Sequence, residues 1–225
     1  MILPSGHVTF SATTGIAAAA LYGGRTLHSL LSIPAAGHLF RPLSRMGRLT
    51  VERNLGLRQD GSIKTCVLVI DEVSMMSTIL LDYVDQRLQE VCRSSAPFGG
   101  IAIVLMGDFY QLPPVGNQPL YAIAVKEELT KPTDISAKRL FTMFQLVELT
   151  QQMRAAECDL QRSLIANFRE RSAPFTKADL SSLRQITSTD ISNDRSWLDA
   201  TIVTAGNSMR HAINFEKVSF NFSDV

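Results

Sequence analysis

Short apolar runs alternate with amphipathic stretches along the N-terminal half of the chain. Cys66–Ile70 and Ile101–Met106 have the length and apolar content of buried strands, whereas Ser77–Arg93 carries apolar residues at helical spacing. His7–Ser11 alternates like a strand, and Ile16–Leu21 favours a helix. A strand, a helix and a strand in this order form a right-handed crossover, so the two apolar strands are predicted to be parallel. In the intervening helix, the polar residues on the face opposite the apolar one are Asp82, Asp85, Gln86 and Glu90.

The rest of the chain predicts an irregular excursion and a second α/β unit. Pro34–Gly61 is rich in Gly, Pro and Arg, so we expect at most one short helix there. The polar stretch Pro132–Lys138 is the predicted domain boundary, which gives a first domain of residues 1–135 and a second of residues 136–225. The further predicted elements are a short helix and a strand in Leu140–Leu149, a helix at Arg154–Arg169, a strand at Thr201–Thr204 and a helix from Ser208.

Composition indicates a globular protein that does not cross a membrane. The 225 residues are 45% hydrophobic and 19% charged, and no apolar run approaches the ~20 residues needed to span a bilayer. The start of the chain has no basic n-region, so we expect an intracellular protein. Its cysteines never form a CxxC pair, which predicts reduced, buried thiols at Cys66, Cys92 and Cys158.

Charge is balanced over the whole chain but not along it. The formal net charge is +1, whereas residues 1–64 hold seven basic and two acidic residues. An arginine-rich stretch can contact phosphates, and it can equally be a solvated loop. Charge alone therefore leaves a nucleic-acid partner open.

Polar side chains follow both apolar strands at the point where each strand ends. Asp71 and Glu72 end the first, while Asp108 and Gln111 follow the second. Ligands of open α/β sheets bind outside the carboxyl ends of the strands, so these four side chains are expected to converge at one crevice. Carboxylates there suit a nucleotide with its metal ion. Strand-end acids also occur as helix caps, but the second strand with the same pattern favours the nucleotide site.

The motifs around these residues resemble the PIF family of superfamily-one helicases, which are relatives of RecD. The likeness runs from residue 7 to about residue 154, and four motifs together make it specific. They are Ser11–Ala18 with Gly24–Ser29, then Val69–Met75, then Pro97–Gly100 followed by Gly107–Pro114, and finally Glu148–Arg154.

The resemblance implies a RecA-like P-loop nucleoside triphosphatase domain, followed by the start of a second RecA-like domain. In this family pattern Asp71 would bind Mg²⁺, Glu72 would activate the attacking water and Gln111 would sense the γ-phosphate of ATP. Arg154 would act as an arginine finger from the second domain, and all four residues would line the nucleotide site. An isolated arginine would more simply form a surface ion pair.

The same resemblance implies a track for single-stranded DNA. Thr14 and Gly15 would donate to phosphates, with Arg25, Thr26 and His28 nearby. His28 could equally be a capping or internally satisfied histidine. Phe109 and Tyr110 are candidates for base stacking, although Phe109 also fits a core position.

The chain departs from the family pattern because it contains no Gly-x-x-x-x-Gly-Lys-Ser/Thr sequence, the loop that cradles the β- and γ-phosphates. We therefore expect a fragment cut at both ends, with a first motor domain that lacks this loop. A decayed mobile-element copy is the next explanation.

Three functions remain open. The first is an ATP-dependent, 5′-to-3′ DNA helicase, whose repair, recombination and telomere roles, nuclear or mitochondrial location and monomeric state rest on resemblance. It would use ATP, Mg²⁺, single-stranded DNA and duplex junctions. The second is an inactive remnant that holds single-stranded DNA without ATP turnover. The third is a remnant that does not fold, because a sheet without its phosphate-loop strand exposes a central edge.

Overall fold

Four parallel strands form a sheet in the N-terminal part of the chain. They are β1 His7–Ala12, β2 Arg25–Thr26, β3 Thr65–Asp71 and β4 Ala102–Leu105, in the spatial order β2-β1-β3-β4. Every neighbouring pair is parallel. The predicted α/β fold with a parallel sheet is therefore confirmed.

The computed structural model describes residues 7–34, 40–56, 62–154, 156–170, 177, 181 and 183–222. Two compact units divide the chain, Met1–Gln151 and Gln152–Val225. The helices of the first unit are α1 Gly15–Ala20, α2 Leu27–Leu31, α3 Arg45–Leu55, α4 Thr78–Cys92, α5 Leu120–Ala124 and α6 Pro132–Phe141. The second unit contains α7 Asp159–Glu170, α8 Ser188–Asn193 and α9 Asn207–Phe222. None of the helices in the described residues is long and apolar enough to cross a bilayer.

The main core of the first unit lies between one face of the sheet and the helices packed against it. Leu68 and Ile70 of β3 are fully buried in this core, with Ile103 and Leu105 of β4 packed beside them. Burial of such side chains is the dominant favourable contribution to folding. The helical side chains of the core include Leu27, Leu30, Leu31, Val51, Leu55, Leu81, Val84, Leu88, Leu120, Ile123, Ala137 and Leu140.

The polar face of α4, opposite its apolar face, is partly buried rather than fully exposed to solvent. Asp82 and Asp85 are buried, because α6 and the 3₁₀ turn Pro97–Gly100 pack along this face. Asp85 accepts hydrogen bonds from the Phe98 backbone N–H at 2.6 Å and from the Gln89 side chain at 2.8 Å. Buried carboxylates persist only when they are hydrogen-bonded in this way. These polar residues therefore anchor neighbouring segments.

The free side of β4 is the least covered part of the sheet. Among the described residues β4 pairs only with β3, and Val104 remains 43% exposed. Val8 of β1, on the same face of the sheet as Val104, is also exposed. Parallel sheets normally have both faces covered, so this edge and face are available for further packing.

The C-terminal elements follow the prediction only in part. The helices predicted at Arg154–Arg169 and from Ser208 are present as α7 and α9. The strands predicted in Leu140–Leu149 and at Thr201–Thr204 are wrong, because neither region forms a strand in the described chain. β-prone residues form a strand only where a neighbouring strand accepts their backbone hydrogen bonds.

The predicted domain boundary, Pro132–Lys138, lies inside α6, whose buried Ala137 and Leu140 belong to the core of the first unit. Contacts instead divide the chain after Gln151. The RecA-like character of the second unit stays a prediction. Within Pro34–Gly61 the described residues form α3; residues 35–39 and 57–61 of that stretch lie outside the described chain.

Candidate functional site

The carboxylate pair sits where β3 ends. Asp71 is the last residue of β3, and its Oδ1 accepts a hydrogen bond from the Glu72 backbone N–H at 2.8 Å. Glu72 has left-handed backbone angles, φ 57° and ψ 48°, which turn the chain sharply into the 3₁₀ helix Val73–Met75. A non-glycine residue in this conformation stores about 1–3 kcal/mol of strain, and such strain is concentrated at functional sites.

The segment after β4 packs directly against this turn. The Val73 N–H donates to the Met106 carbonyl at 2.9 Å, and the Met106 N–H donates to the Ile70 carbonyl at 2.8 Å. Gly107 has φ 142°, and a Cβ on it would lie 2.8 Å from the Val73 nitrogen. The backbone of the two predicted motifs therefore lies side by side, and glycine permits that approach.

Asp108 and Gln111 follow in a tight turn. Asp108 Oδ1 accepts from the Tyr110 N–H at 3.1 Å, and the Asp108 carbonyl accepts from the Gln111 N–H at 2.9 Å. Gln111 is exposed. In the described structure no hydrogen bond joins its side chain to Asp71 or Glu72. The fold thus brings the backbones of the predicted segments together, while the side chain of Gln111 is not hydrogen-bonded to either carboxylate.

The predicted DNA segment adjoins the same strand end. Thr13 donates from its backbone N–H to the Asp71 carbonyl at 3.3 Å and from its hydroxyl to the Glu72 carbonyl at 2.9 Å. Thr14 caps α1, since its hydroxyl oxygen accepts from the Ala17 N–H at 3.2 Å, and its hydroxyl hydrogen remains able to donate. Gly15 opens α1 and is exposed.

Arg25, Thr26 and His28 lie at the same edge of the sheet, because Arg25 and Thr26 pair with the last two residues of β1. The hydroxyl oxygen of Thr26 caps α2 by accepting from the Ser29 N–H at 3.2 Å. His28 is half-buried, and desolvation by burial lowers the pKa of its imidazole. At neutral pH His28 is therefore uncharged and contributes no positive charge to a phosphate site, whereas the exposed Arg25 does.

Sequence reasoning assigned no role to Ser11, Thr13 or Asn54, which tie these segments together. Ser11 is fully buried and donates from its hydroxyl to the Arg25 carbonyl at 2.8 Å. Asn54 of α3 contacts the Arg25 guanidinium at 2.7 Å. Each bond joins residues far apart in sequence, so no local pattern could have indicated it.

The two aromatic stacking candidates have different surroundings. Phe109 packs edge-on against Tyr121 and Phe141, with ring centroids 5.8 and 6.0 Å apart. Phe109 is nevertheless 37% exposed and lies outside the buried core, so it packs on other rings at the surface. Tyr110 is 69% exposed and is the better placed of the two to stack on a base.

Comparison with known protein families identifies the family of the chain. Residues 3–177 match the family model described as PIF1-like helicase, and this match spans most of the chain. The chain belongs to the PIF1-like helicase family. The predicted family is thereby confirmed.

Individual PIF1-like helicases show how far the likeness extends. Human ATP-dependent DNA helicase PIF1 is 34% identical over 171 residues, which are 68% of this chain and 25% of the human protein. Pif1 from Bacteroides sp. in complex with ADP-AlF4 is 27% identical, with a TM-score of 0.54 over 93% of this chain and 46% of that chain.

A structure of two coordinating Pif1 helicases, concerned with DNA unwinding at forked double-stranded DNA, is also 27% identical. Its TM-score is 0.52 over 80% of this chain and 41% of that chain. The chain therefore spans about a quarter of the human relative and less than half of each solved structure.

Because ATP binds together with a magnesium ion, we asked whether the carboxylates at this strand end could ligate Mg²⁺. In the described residues no group of three or more His, Cys, Asp and Glu side chains could hold a metal ion by itself. Nucleotide-bound Mg²⁺ needs only one or two protein carboxylates, because the phosphates and waters supply its other ligands. Asp71, partly exposed at the strand end and oriented by its bond to the Glu72 N–H, fits that limited role.

Two further features lie apart from this edge. A cavity of about 290 Å³ is lined by residues at the starts of α4 and α6, including Thr78 and Asp134, and by none of the predicted site residues. Arg154 is exposed in the second unit. Its role as an arginine finger stays a prediction.

Proposed function

We propose that the chain is the motor segment of an ATP-dependent, 5′-to-3′ DNA helicase that couples ATP hydrolysis to movement along single-stranded DNA. The observation that carries the proposal is the pair of hydrogen bonds from Thr13 to the carbonyls of Asp71 and Glu72. Through them the predicted DNA segment and the predicted catalytic carboxylates share one strand end. The names of the relatives, which are ATP-dependent DNA helicases, support the same function.

In the proposed mechanism each residue has one task. The Glu72 carboxylate would accept a proton from the water that attacks the γ-phosphate, and the Gln111 amide would hydrogen-bond that phosphate. Asp71 would hold Mg²⁺, which neutralises phosphate charge when it is bound. Arg154, always charged, would stabilise the charge of the transferring phosphoryl group. The Bacteroides relative in complex with ADP-AlF4 supports the binding of a nucleotide by this chain.

On the DNA side, Thr14, Gly15 and Arg25 would contact phosphates. Thr26 and His28 would shape the edge more than charge it, since one caps a helix and the other is neutral. Phosphate contacts of this kind bind DNA irrespective of sequence and weaken as salt rises. An intracellular location and action as a monomer are part of the same proposal.

The decisive experiment is ATP hydrolysis by the full-length product of the gene, with and without single-stranded DNA. Glu72→Gln should leave ATP binding intact and lower DNA-stimulated turnover by at least about a hundredfold, the usual contribution of a general base. Glu127→Gln is the matched control, because Glu127 is an exposed carboxylate away from the strand end. Turnover that survives Glu72→Gln would remove Glu72 from its proposed role.

The second candidate is a protein that binds single-stranded DNA without ATP turnover. It needs only the DNA-side residues, of which Arg25 is exposed and bonds through its guanidinium to the neutral Asn54. The same assay separates the two functions. Salt-sensitive DNA binding with no DNA-stimulated hydrolysis by the unmodified protein would support this candidate and exclude the motor.

A further inference from the structure

Asn54 lies between Arg25, the predicted DNA-contacting cation, and the C-terminal end of α2. Its Oδ1 accepts a hydrogen bond from Nη1 of Arg25 at 2.7 Å. Its Nδ2 donates to the carbonyls of Leu30 and Ser29 at 2.9 and 3.3 Å, at the C-terminal end of α2. One side chain therefore links the guanidinium of Arg25 to the helix that begins next to it.

The chemistry of this position requires an amide. The carbonyls of Ser29 and Leu30 need two donor hydrogens, whereas the guanidinium of Arg25 needs an acceptor, and among side chains of this size only the amide of Asn54 offers two donor hydrogens and an acceptor. The two carbonyls on one side and the guanidinium on the other also fix which amide atom is nitrogen. The neighbouring Leu55 and Val51 are fully buried, so α3 holds Asn54 against the core.

The bond to an amide leaves the charge of Arg25 intact. Among the described residues no carboxylate forms an ion pair with Arg25, and its only described side-chain partner is the neutral Asn54. A carboxylate at the same place would orient the guanidinium equally well but would neutralise it. Ser11 fixes the other end of the residue by donating to the Arg25 carbonyl. Arg25 is thus held at its backbone and at its guanidinium while it stays exposed and positively charged.

From this arrangement we propose that Asn54 is a positioning residue for DNA binding. It holds the guanidinium of Arg25 in place for a backbone phosphate without cancelling its charge. The inference rests on the proposed DNA function of this edge and adds to it a residue of α3 that touches no DNA itself. Pre-organising a long, flexible side chain lowers the entropy that must be lost when it binds.

The test is a double-mutant cycle on the full 225-residue chain, read out by binding of a fluorescent oligothymidylate over a range of KCl concentrations. Arg25→Ala should weaken binding about tenfold and reduce the slope of log K against log salt by about 0.7, as expected for one lost phosphate contact to a single strand. Asn54→Ala should weaken binding about three- to tenfold in the parent protein. In the Arg25→Ala background it should change nothing, because it acts through Arg25.

Asn54→Asp sharpens the test. Aspartate would still accept from Arg25 but would neutralise it, so we expect binding at least as weak as with Asn54→Ala. The matched control is Arg53→Ala, which removes an exposed cation from the preceding position of α3 without touching this network. In the Arg53→Ala background, Asn54→Ala should weaken binding by the same factor as in the parent protein. Thermal unfolding by circular dichroism identifies any variant that is not folded under the binding conditions.

Each outcome has a distinct meaning. If the parent chain does not bind the oligonucleotide even at low salt, the proposed DNA function fails, and this inference fails with it. If the parent binds and Arg25→Ala weakens it, but Asn54→Ala does not, only the positioning role of Asn54 is overturned. Equal weakening by Asn54→Ala in the parent and in the Arg25→Ala background would show a general structural role and would also overturn the inference.

Discussion

The hydroxyl of Thr13 donates a 2.9 Å hydrogen bond to the carbonyl of Glu72, although 59 positions separate the two residues in sequence. Thr13 precedes the Thr14–Gly15 turn, and Glu72 is the proposed catalytic base. The segment proposed to grip DNA and the backbone that carries the base are therefore in direct contact. A shift of the DNA segment would be transmitted to the Glu72 backbone directly through this hydrogen bond.

Thr13→Val should loosen this connection while preserving side-chain shape. The Glu72 carbonyl would lose its partner, so we expect the free energy of unfolding to fall by about 1 kcal/mol and the affinity for single-stranded DNA to fall with it. Thr50→Val is the control, since the Thr50 hydroxyl donates to the Met46 carbonyl on the exposed surface of α3 and has no other hydrogen bond within the described residues. Chemical denaturation measures the stability of both variants. Equal losses of unfolding free energy would mean that the Thr13 hydrogen bond contributes no more than an exposed helical one.

Gly107→Ala should disrupt the contact between the two strand ends. The added Cβ would lie 2.8 Å from the Val73 nitrogen and 3.1 Å from its Cγ1, and the backbone angle φ of 142° is unfavourable for alanine. We expect a loss of about 1–3 kcal/mol in the free energy of unfolding, with weaker ATP hydrolysis if Glu72 moves. Gly15→Ala is the matched control because a Cβ there meets no atom within 4 Å. If Gly107→Ala unfolds at the parental denaturant concentration, the close approach is not required.

His28 should make stability depend on pH. Burial lowers the pKa of His28 in the folded state below the ordinary value of 6.5, so between these two values the unfolded chain binds more protons than the folded one. Stability contributed by the neutral imidazole is present above pH 6.5 and is lost as pH falls toward the lower folded pKa. His28→Gln should therefore reduce the drop in unfolding free energy between pH 7.5 and pH 5.0.

The control for His28 is His211→Gln, which removes an exposed histidine of α9. Urea denaturation at several pH values compares the two variants with the parent. A pH dependence in His28→Gln that is as steep as in the parent would assign the effect to other groups.

Arg87 should be the most sensitive charged residue of the first unit. It is 1% exposed, forms a 2.5 Å ion pair with Glu90, donates to the Arg41 carbonyl and lies over the ring of Phe40 at 4.3 Å. Arg87→Ala removes one partner of a buried pair, which costs about 3–5 kcal/mol. Arg48→Ala should cost no more than about 1 kcal/mol, because Arg48 is partly exposed and lies 3.6 Å from Glu90. Similar losses for both variants would contradict the importance of burial here.

The sequence was most informative where a local pattern and the fold agree. β3 and β4 were predictable because each is an apolar run that stops at polar residues, and α4 because its apolar spacing is regular. The burial of Asp82 and Asp85 was not predictable, since it depends on α6 and on the 3₁₀ turn Pro97–Gly100, whose packing against α4 no local pattern indicates. Asn54 escaped prediction for the same reason. The strand predicted at Thr201–Thr204 failed because propensity cannot supply a neighbouring strand.

Glu72 occupies a left-handed backbone position that glycine or asparagine would adopt with less strain. Selection for thermal robustness alone would therefore enrich glycine or asparagine at position 72 and discard the carboxylate. Directed evolution of this chain has to be scored on turnover from the first round, because the strained position where stability can be gained carries the proposed catalytic base.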